Sequence, residues 1–238
     1  MENKAGESTR KMMNDRKKRG IIAGIVGMLV IAFLWWLWTN GTRIGLSGTA
    51  LFAVLLLLAI ARNLSDGITS RIFRTAHRAR RGAIGEETIG ALLESIPGEK
   101  RLMHDIPCPN GNIDHIVLLP SGQLFLIETK AHRGKVRWDG AALLVNGRPT
   151  EKDFIAQTLR NTMWLANQAK QLAGQDVWVT PLIVFSNAFV PSIAPIRGIR
   201  VINKGSLQAA IRTTHQTNPN NLWLLQDDLH KALYDPTP

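Results

Sequence analysis

Two carboxylates and a lysine, Asp114, Glu128 and Lys130, stand in two neighbouring apolar runs of the sequence. Both runs contain several β-branched residues, and a Pro-Ser-Gly turn at 120–122 separates them, so the segment is predicted to be a β-hairpin. Carboxylates bind a hard cation such as Mg²⁺, which acidifies water and neutralises phosphate, and a lysine holds the nucleophile or the developing charge. These residue types therefore indicate phosphodiester hydrolysis, provided that the hairpin brings them together.

The register of the hairpin decides whether the carboxylates meet. With a three-residue loop, counting outward from the turn brings Asp114 opposite Glu128 and puts Lys130 on the same face. Like charges that face each other across a sheet oppose folding, so a cation is expected between them. With a two-residue loop, Thr129 would instead lie opposite Asp114, and a solvated pair of charges would need no metal ion.

The local sequence around these residues resembles the nuclease-related domain (NERD) family of the PD-(D/E)xK nuclease superfamily. The resemblance rests on three motifs in order, Gly-Ala-Ile-Gly-Glu at 82–86, Ile-Asp-His at 113–115 and Ile-Glu-Thr-Lys at 127–130. It covers roughly residues 80–190, a little under half of the chain. Three motifs in the right order are more specific than the short carboxylate core alone.

The resemblance implies an α/β fold, with a restriction-endonuclease-like mixed β-sheet flanked by helices. It also implies a site for Mg²⁺, or for Mn²⁺ in its place, and a nucleic-acid substrate, with DNA favoured over RNA. The implied ligands are the carboxylates of Asp114, Glu128 and Glu86 and the backbone carbonyl of Thr129. Lys130 would orient or activate the attacking water.

Two further residues have a functional and an ordinary interpretation. Glu86 opens an amphipathic run to residue 96, so it either joins the metal site or merely favours the helix dipole near its start. Gln157 lies in a helix predicted to open at Thr150. It resembles a glutamine that recurs near the metal site of related nucleases, but it could equally be a helix-surface residue, and the same holds more strongly for Asn161 one turn later.

The net charge of +11 is unevenly distributed. Residues 1–81 hold 14 Lys and Arg against 4 Asp and Glu, whereas residues 82–238 hold 15 against 14. The predicted catalytic domain therefore lacks the positive excess typical of nucleic-acid-binding domains. The single cysteine, Cys108, excludes an intrachain disulfide and a Cys-rich zinc site and fits a reducing compartment. The sequence also lacks histidine pairs at zinc spacing and a Gly-rich phosphate loop, so a zinc enzyme and an NTPase are both disfavoured.

Two uncharged runs near the N-terminus predict a transmembrane hairpin. The first, 21–38, would rise about 27 Å as a helix, close to the hydrocarbon thickness of a membrane, and ends in three tryptophans. It is longer than the usual core of a signal peptide, which is the competing interpretation. The loop before the second run carries only Arg43, whereas both outer flanks are basic, so both termini are expected in the cytoplasm of a cell with an inner membrane.

The basic segment after the second predicted span has two interpretations. Arg71, Arg74, Arg78 and Arg81 lie at helical spacing, and they would rest on anionic headgroups or, as the less favoured alternative, guide nucleic acid to the domain. The predicted organisation of the chain has five parts. They are a basic N-terminus (1–20), two transmembrane helices (21–38 and 44–61), a basic juxtamembrane linker (62–81), the nuclease-related domain (82–213) and a C-terminal linker and helix (214–238).

Further elements follow from the apolar patterning. His115 follows Asp114 and is therefore predicted to project to the opposite face of the sheet as a packing or hydrogen-bonding residue. Trp223, in the predicted terminal helix, packs either on the domain or on a partner. The other predicted elements are strands at 101–107, 143–147 with an Asn-Gly turn, 177–185 and 199–202, and helices at 205–212 and 222–233.

The sequence thus predicts a membrane-anchored, metal-dependent nuclease on the cytoplasmic side. A non-cleaving nucleic-acid-binding or assembly module, for example in DNA transfer, uptake or defence, is the first alternative, and the near-neutral domain favours it. A membrane structural protein with a solvated acidic hairpin is the second. The chain retains every residue that the chemistry needs, which favours an enzyme. The expected partners are nucleic acid and the lipid bilayer, and a homo-oligomer or a membrane complex is compatible with the sequence.

Overall fold

The computed structural model describes residues 4–40, 43, 45, 47–213 and 221–235, without the side chains of residues 51, 62 and 64–73. The chain forms two compact units. A helical unit comprises Thr9–Arg80, and a sheet unit comprises Met1–Ser8 together with Arg81–Pro238.

The helical unit is made of two long helices, α1 (Glu7–Asn40) and α2 (Gly48–Ser95). α1 is long and apolar enough to cross a membrane, as predicted for its run 21–38. The apolar start of α2, Gly48–Ala61, is shorter than the roughly 20 residues that a span needs. The predicted second span at 44–61 is therefore not established, and residues 44 and 46 lie outside the described part of the chain.

The predicted linker at 62–81 and the predicted helix at 86–96 are both parts of α2. The boundary expected between them is absent because the sequence holds no proline and no capping glycine there that ends a helix. Glu86 consequently lies deep inside a 48-residue helix, far from its N-terminus. The interpretation of Glu86 as a helix-dipole residue is wrong. The side chain of Arg71 lies outside the described residues, so the predicted row of four arginines is seen only from Arg74 onward.

The sheet unit is mixed α/β, which confirms the predicted fold class at this level. Five strands follow one another as antiparallel neighbours, whereas β6 lies parallel to β3 and β7 parallel to β6. The strands are β1 (Arg101–Cys108), β2 (Gly111–Leu118), β3 (Leu124–Trp138), β4 (Leu143–Val145), β5 (Arg148–Pro149), β6 (Val179–Phe189) and β7 (Arg200–Asn203). The helices are α3 (Phe154–Ala173), α4 (Leu207–Thr213), preceded by a 3-10 turn at Lys204–Ser206, and α5 (Gln226–Tyr234).

Apolar side chains cover both faces of this sheet. On one face, Ile89 and Leu93 in the last turns of α2 and Leu207 in α4 pack against Phe125 and Ile127 of β3. On the other face, Leu165 of α3 and Leu229 and Leu233 of α5 pack against Leu124 and Leu126 of β3. The first half of β3, residues 124–129, is buried from both sides, so the polar residues Glu128 and Thr129 are held in a protein interior.

The hairpin of β2 and β3 has the register predicted for a three-residue loop. Leu118 pairs with Leu124 in the antiparallel ladder, and the backbone N–H of Leu119 donates to the carbonyl of Gln123 at 3.0 Å. The alternative two-residue loop is therefore wrong for this chain.

β3 is long, and its second half leaves the main sheet to form a small extension. A bulge between Lys130 and Arg133 interrupts the pairing with β6, and beyond it β3 pairs with β4, which pairs with β5. We call residues 131–152 the wing. Asn146 and Gly147 connect β4 and β5 with φ angles of 53° and 76°, the left-handed pair that a two-residue Asn-Gly turn requires. This confirms the predicted turn.

Helix α3 begins later than its capping pattern predicted. Asp153 is the N-cap and accepts from Ala156 N, whereas the N–H of Thr150 donates to the carbonyl of Leu143 at 3.3 Å. Thr150 therefore still belongs to the end of the wing, and Asp153 takes the capping role.

The C-terminal segment packs on the domain, which settles a point that the sequence left open. Leu222, Leu229 and Leu233 are buried, and Trp223 packs against the same core. The hydroxyl of Tyr234 donates to the carbonyl of His104 and accepts from its N–H. These bonds satisfy the outer edge of β1, which would otherwise be an unpaired sheet edge.

Candidate active site

The hairpin places the two predicted carboxylates side by side. In the register of the β2–β3 ladder, the next pair outward from His115 and Ile127 is Asp114 and Glu128. One carboxylate oxygen of Asp114, Oδ2, accepts a hydrogen bond of 2.6 Å from the backbone N–H of Thr129. The backbone of β3 therefore fixes the orientation of Asp114.

Glu128 is the most enclosed charged group of the site, with 1% of its surface exposed. Its Oε2 lies 3.1 Å from Nζ of Lys130, and its Oε1 accepts from Nδ2 of Asn161 at 2.8 Å. A buried carboxylate is costly unless it is paired and hydrogen bonded. The two donors, one from β3 and one from α3, meet that requirement and hold both oxygens in place.

Lys130 is the cation that lies beside the carboxylates. Burial lowers the pKa of Lys130, but the carboxylates of Glu128, Asp114 and Glu86 raise it more, so that the net shift of the pKa is upward. Its Nζ also lies 4.8 Å from the ring centre of Phe154, the first residue of α3. Lys130 is therefore charged at neutral pH and is held between the carboxylates and an aromatic ring.

Asp114 lies in a strongly negative environment. Burial raises the pKa of Asp114 well above its ordinary value, the charges of Glu128 and Glu86 raise it further, and Lys130 and the N–H of Thr129 oppose the shift. Some of the surface of Asp114 remains accessible to solvent. A cation that reaches this carboxylate would relieve the repulsion that raises its pKa.

Glu86 acts on the site from α2, which lies across the other face of the sheet. The preceding residue, Gly85, touches the sheet so closely that an added Cβ would lie 2.9 Å from Oγ of Ser186 and 3.0 Å from Cβ of Ala131. Only glycine permits this approach. Among the described residues, no group of three or more His, Cys, Asp and Glu side chains is close enough to hold a metal ion. The role of Glu86 as a third ligand stays a prediction.

The described geometry agrees with the comparison of the sequence with known families. Residues 81–186 match the model of the nuclease-related domain, NERD. Segment 81–186 of the chain is therefore similar to a nuclease-related domain. No curated protein and no solved structure matches the chain. The matched segment contains Asp114, Glu128, Lys130 and Glu86, so the residues predicted for the chemistry all lie within the part of the chain that is similar to this family.

The donor chemistry of this domain fits a hard divalent cation. The carboxylates of Asp114 and Glu128 lie on neighbouring strands, and burial together with the charge of Glu128 raises the pKa of Asp114. Carboxylate and carbonyl oxygens are the ligands that Mg²⁺ prefers. The residues that would hold Mg²⁺ or Mn²⁺ are Asp114, Glu128 and the backbone carbonyl of Thr129.

Asn161 is the site residue that sequence reasoning undervalued. It is completely buried, and its Oδ1 accepts a weak hydrogen bond of 3.5 Å from the thiol of Cys108, while its amide group holds Glu128. Burial raises the pKa of the Cys108 thiol, a backbone hydrogen bond with Asn110 opposes the shift, and the charges of Glu128 and Asp114 add to it, so that the net shift of the pKa is upward. The signal was present in the sequence, since Asn161 occupies the buried stripe of α3 between Thr158 and Leu165.

For two other predicted residues, Gln157 and Thr129, the structure establishes no role in the site. Gln157 lies one turn before Asn161 on α3 and is partly buried, and within the described part of the chain its side chain makes no hydrogen bond. The hydroxyl of Thr129 is buried without a partner among the described residues. Both roles stay predictions.

The prediction that His115 is a hydrogen-bonding residue on the opposite face is confirmed. His115 is buried against His104, with 2.8 Å between their Nδ1 atoms. Burial and the neighbouring His104 lower the pKa of His115 to about 3.

Proposed function

We propose that the nuclease-related domain hydrolyses nucleic-acid phosphodiester bonds with the help of Mg²⁺ or Mn²⁺. The observation that carries this proposal is the arrangement on β3, where Glu128 is held by both Lys130 and Asn161 and where the carboxylate of Asp114 accepts from the backbone N–H of the next residue, Thr129. An ion pair that only stabilises a surface needs neither the burial nor the two donors that Glu128 has, since exposed pairs add little stability. An enclosed and fully oriented carboxylate pair is instead typical of a site built for chemistry.

Each residue has a distinct role in the proposed reaction. A bound Mg²⁺ would neutralise the phosphate and acidify a water molecule. Asp114 and Glu128 supply the anionic oxygens, and Asn161 keeps Glu128 aimed at the site. Lys130, whose Nζ lies at the carboxylate, holds the attacking water or offsets the charge that develops on phosphate. Glu86 would assist directly or through a water molecule.

We further propose that the domain is anchored in a membrane and faces the cytoplasm. Ser8 N donates to Oδ2 of Asp105 at 2.6 Å, and Ser8 Oγ donates to Oδ1 at 2.6 Å. These bonds join the chain before the apolar runs to the domain after them, so both lie on one side of any membrane that the chain crosses. An even number of crossings is required. α1 and the apolar start of α2 supply two, and the basic flanks favour the cytoplasmic side.

The test of the nuclease proposal uses the full-length chain in detergent, because residues 4–8 belong to the sheet unit and a fragment beginning at residue 82 would lack them. The protein is incubated with end-labelled single- and double-stranded DNA and RNA in Mg²⁺, Mn²⁺ or EDTA. Cleavage should require a divalent ion. Asp114→Asn and Lys130→Ala should each lower the rate by at least about a hundredfold.

The matched control is Lys204→Ala, which removes an exposed lysine away from the site. It should cleave as well as the unaltered protein. Cleavage that persists in Asp114→Asn would identify a contaminating nuclease and contradict the proposal. Binding without cleavage, equal in all variants, would support the tethered binding module instead.

A further inference from the structure

Asp114 lies at an interruption of the pairing between β1 and β2. The antiparallel ladder includes His104 and resumes at Ile106, and its register is the same on both sides. Asp105 and Asp114 stand opposite each other between these pairs but are not themselves paired. Because the register is unchanged, no inserted residue explains the gap, and its cause must be a local change of backbone conformation.

The backbone of Asp105 supplies that cause. Its φ angle is 55°, in the left-handed region, whereas a residue of an antiparallel strand has φ near −140°. In the left-handed conformation the peptide groups no longer point along the hydrogen bonds of the ladder. Asp tolerates this region better than most residues with a side chain, but the conformation is still costly and persists only where neighbouring contacts enforce it.

Hydrogen bonds from a distant segment enforce the conformation of Asp105, which is buried. Its Oδ1 accepts from Nδ2 of Asn112 at 2.7 Å and from Oγ of Ser8 at 2.6 Å. Its Oδ2 accepts from the backbone N–H of Ser8 at 2.6 Å. A buried carboxylate is costly without such donors, so Ser8, in the first turn of α1, and Asn112 together hold Asp105 in place.

The segment that carries Ser8 is closely fitted to α2 and belongs to the sheet unit. Gly6 is buried with a φ angle of 75°, and an added Cβ there would lie 3.1 Å from the carbonyl oxygen of Ala83. Ala5 lies so close to Gly90 that a Cβ added to this glycine would be 2.7 Å from Cβ of Ala5. The segment is therefore a fitted part of the unit, and Ser8 has a fixed position from which to hold its partner.

On the β3 side, Asp114 makes a side-chain bond to the backbone in place of ladder pairing. The β2–β3 ladder reaches outward as far as His115 and Ile127, and the N–H of Thr129 donates to Oδ2 of Asp114 at 2.6 Å. A paired residue keeps its backbone at the strand spacing of about 4.8 Å. Because Asp114 is outside both ladders, it can turn its carboxylate onto the backbone of β3.

We propose that Asp105 is a positioning residue for Asp114 and that Ser8 keeps Asp105 in the conformation that this role requires. The left-handed backbone of Asp105 opens the ladder opposite Asp114, and the opening lets the carboxylate of Asp114 take the orientation in which it binds a divalent cation. The inference rests on the proposed function, in which Asp114 is a metal ligand. An extended Asp105 would instead continue the ladder through Asp114 and draw its backbone toward β1.

The test separates the backbone conformation of Asp105 from its hydrogen bonds. Asp105→Gly and Asp105→Ala both lose the carboxylate and its bonds, but glycine adopts the left-handed region readily whereas alanine does so only at a cost. Ser8→Ala removes the hydroxyl donor, and Ser8→Thr keeps it as the conservative control. The full-length proteins in detergent are compared by hydrogen exchange, by binding of Mn²⁺ alone and by cleavage of end-labelled nucleic acid.

Hydrogen exchange in EDTA reports the position of Asp114 without metal or substrate. The amide of Thr129, resolved by mass spectrometry with electron-transfer fragmentation, should exchange about tenfold faster in Asp105→Ala, which matches the cost of a left-handed alanine. In Asp105→Gly it should accelerate by less than about threefold. Ser8→Ala should accelerate it about fivefold, as expected for one lost hydrogen bond, and Ser8→Thr should restore it. The amide of Leu126, inside the β2–β3 ladder, is the internal control and should not change.

Binding of Mn²⁺, measured from the electron paramagnetic resonance signal of the free ion, should follow the same order. Asp105→Ala should bind the ion at least about tenfold more weakly than Asp105→Gly, as for other changes to residues that orient a ligand. Asp114→Asn is the reference for loss of the site. Thermal unfolding should find Asp105→Ala at least as stable as Asp105→Gly, because glycine loses more conformational entropy on folding. A binding defect that runs opposite to stability cannot come from general destabilisation.

Equal exchange of the Thr129 amide in Asp105→Ala and Asp105→Gly would overturn the inference, and equal exchange in Ser8→Ala and Ser8→Thr would overturn the part assigned to Ser8. Cleavage by Asp105→Ala at the rate of the unaltered protein would contradict the positioning role and leave the nuclease proposal standing. Faster exchange in Asp105→Ala alone, in a protein that cleaves nothing, would contradict the nuclease proposal and leave the positioning role standing.

Discussion

At the scale of single residues, the site depends on how one buried carboxylate is satisfied. Glu128 has a cation at one oxygen and an amide at the other. Removing a partner from a buried charge costs much more than the pair contributes, since the remaining charge stays desolvated. Stability and chemistry are therefore coupled at this position, and the amide donor can be tested separately from the cation.

Asn161→Ala should impair both properties. It leaves Oε1 of Glu128 without its donor, so we expect the free energy of unfolding to fall by about 1–3 kcal/mol and the cleavage rate to fall about 10- to 100-fold, as for other residues that orient a ligand. Urea unfolding and single-turnover cleavage measure the two effects. Asn167→Ala, at an exposed asparagine of the same helix, is the control and should change stability by less than about 0.5 kcal/mol. Equal effects of both substitutions would contradict the role of Asn161.

His115 makes the fold sensitive to acid. Its pKa in the folded protein is about 3, below the ordinary value near 6.5, so the unfolded chain binds a proton between these pH values and the folded chain does not. The stabilising contribution is complete above about pH 6.5 and is lost as the pH falls toward 3.

Replacing His115 by Asn should therefore flatten the decline of stability across this pH window. The measurement is the free energy of urea unfolding as a function of pH, and its slope is compared rather than its absolute value because Asn also leaves space in the core. His132→Asn, at an exposed histidine, should keep the slope of the unaltered protein. An unchanged slope in His115→Asn would show that other groups cause the acid sensitivity.

At the scale of the elements, a close contact between α2 and the sheet positions Glu86. The contact depends on Gly85, whose missing side chain leaves room for Ser186 and Ala131. A second local irregularity is the bulge in β3 between Lys130 and Arg133, which shifts the register of this strand against β6 by one residue.

Gly85→Ala should separate α2 from the sheet. The added methyl group overlaps two atoms of the sheet, so we expect a loss of about 1–3 kcal/mol of stability, together with slower cleavage because Glu86 moves. Gly24→Ala is the control, since an added Cβ there meets no atom within 4 Å. It should leave the unfolding of the sheet unit unchanged. Full stability and activity of Gly85→Ala would contradict the close contact.

At the scale of the whole molecule, the hydrogen bonds of Ser8 with Asp105 require both to lie on one side of any membrane that the chain crosses. The proposed two-span topology then puts Arg43 on the opposite side. Arg43→Cys should react with a membrane-impermeant maleimide in intact cells, whereas Lys4→Cys should react only after permeabilisation. The native Cys108 should likewise be protected in intact cells and serves as an internal control. Labelling of Lys4→Cys in intact cells would contradict the topology.

The sequence by itself determined the features that depend on neighbours in the chain. The Pro-Ser-Gly turn sets the β2–β3 register, the Asn146–Gly147 pair supplies the left-handed turn, and the apolar runs mark α1 and the buried strands. Short-range sterics and hydrophobic periodicity decide such features. The sequence left two loop lengths open, and the position of Asp114 opposite Glu128 is a count along the hairpin that holds for the three-residue loop seen in the structure.

Only the tertiary structure decided the features that join distant parts of the chain. Asn161 reaches Glu128 across 33 positions of sequence, and Ser8 reaches Asp105 across 97. Glu128 and Ile183 become neighbours only through the parallel pairing of β3 with β6. The physical reason is that a local pattern specifies which residues an element buries, whereas the partner that buries them is chosen by the packing of the whole core.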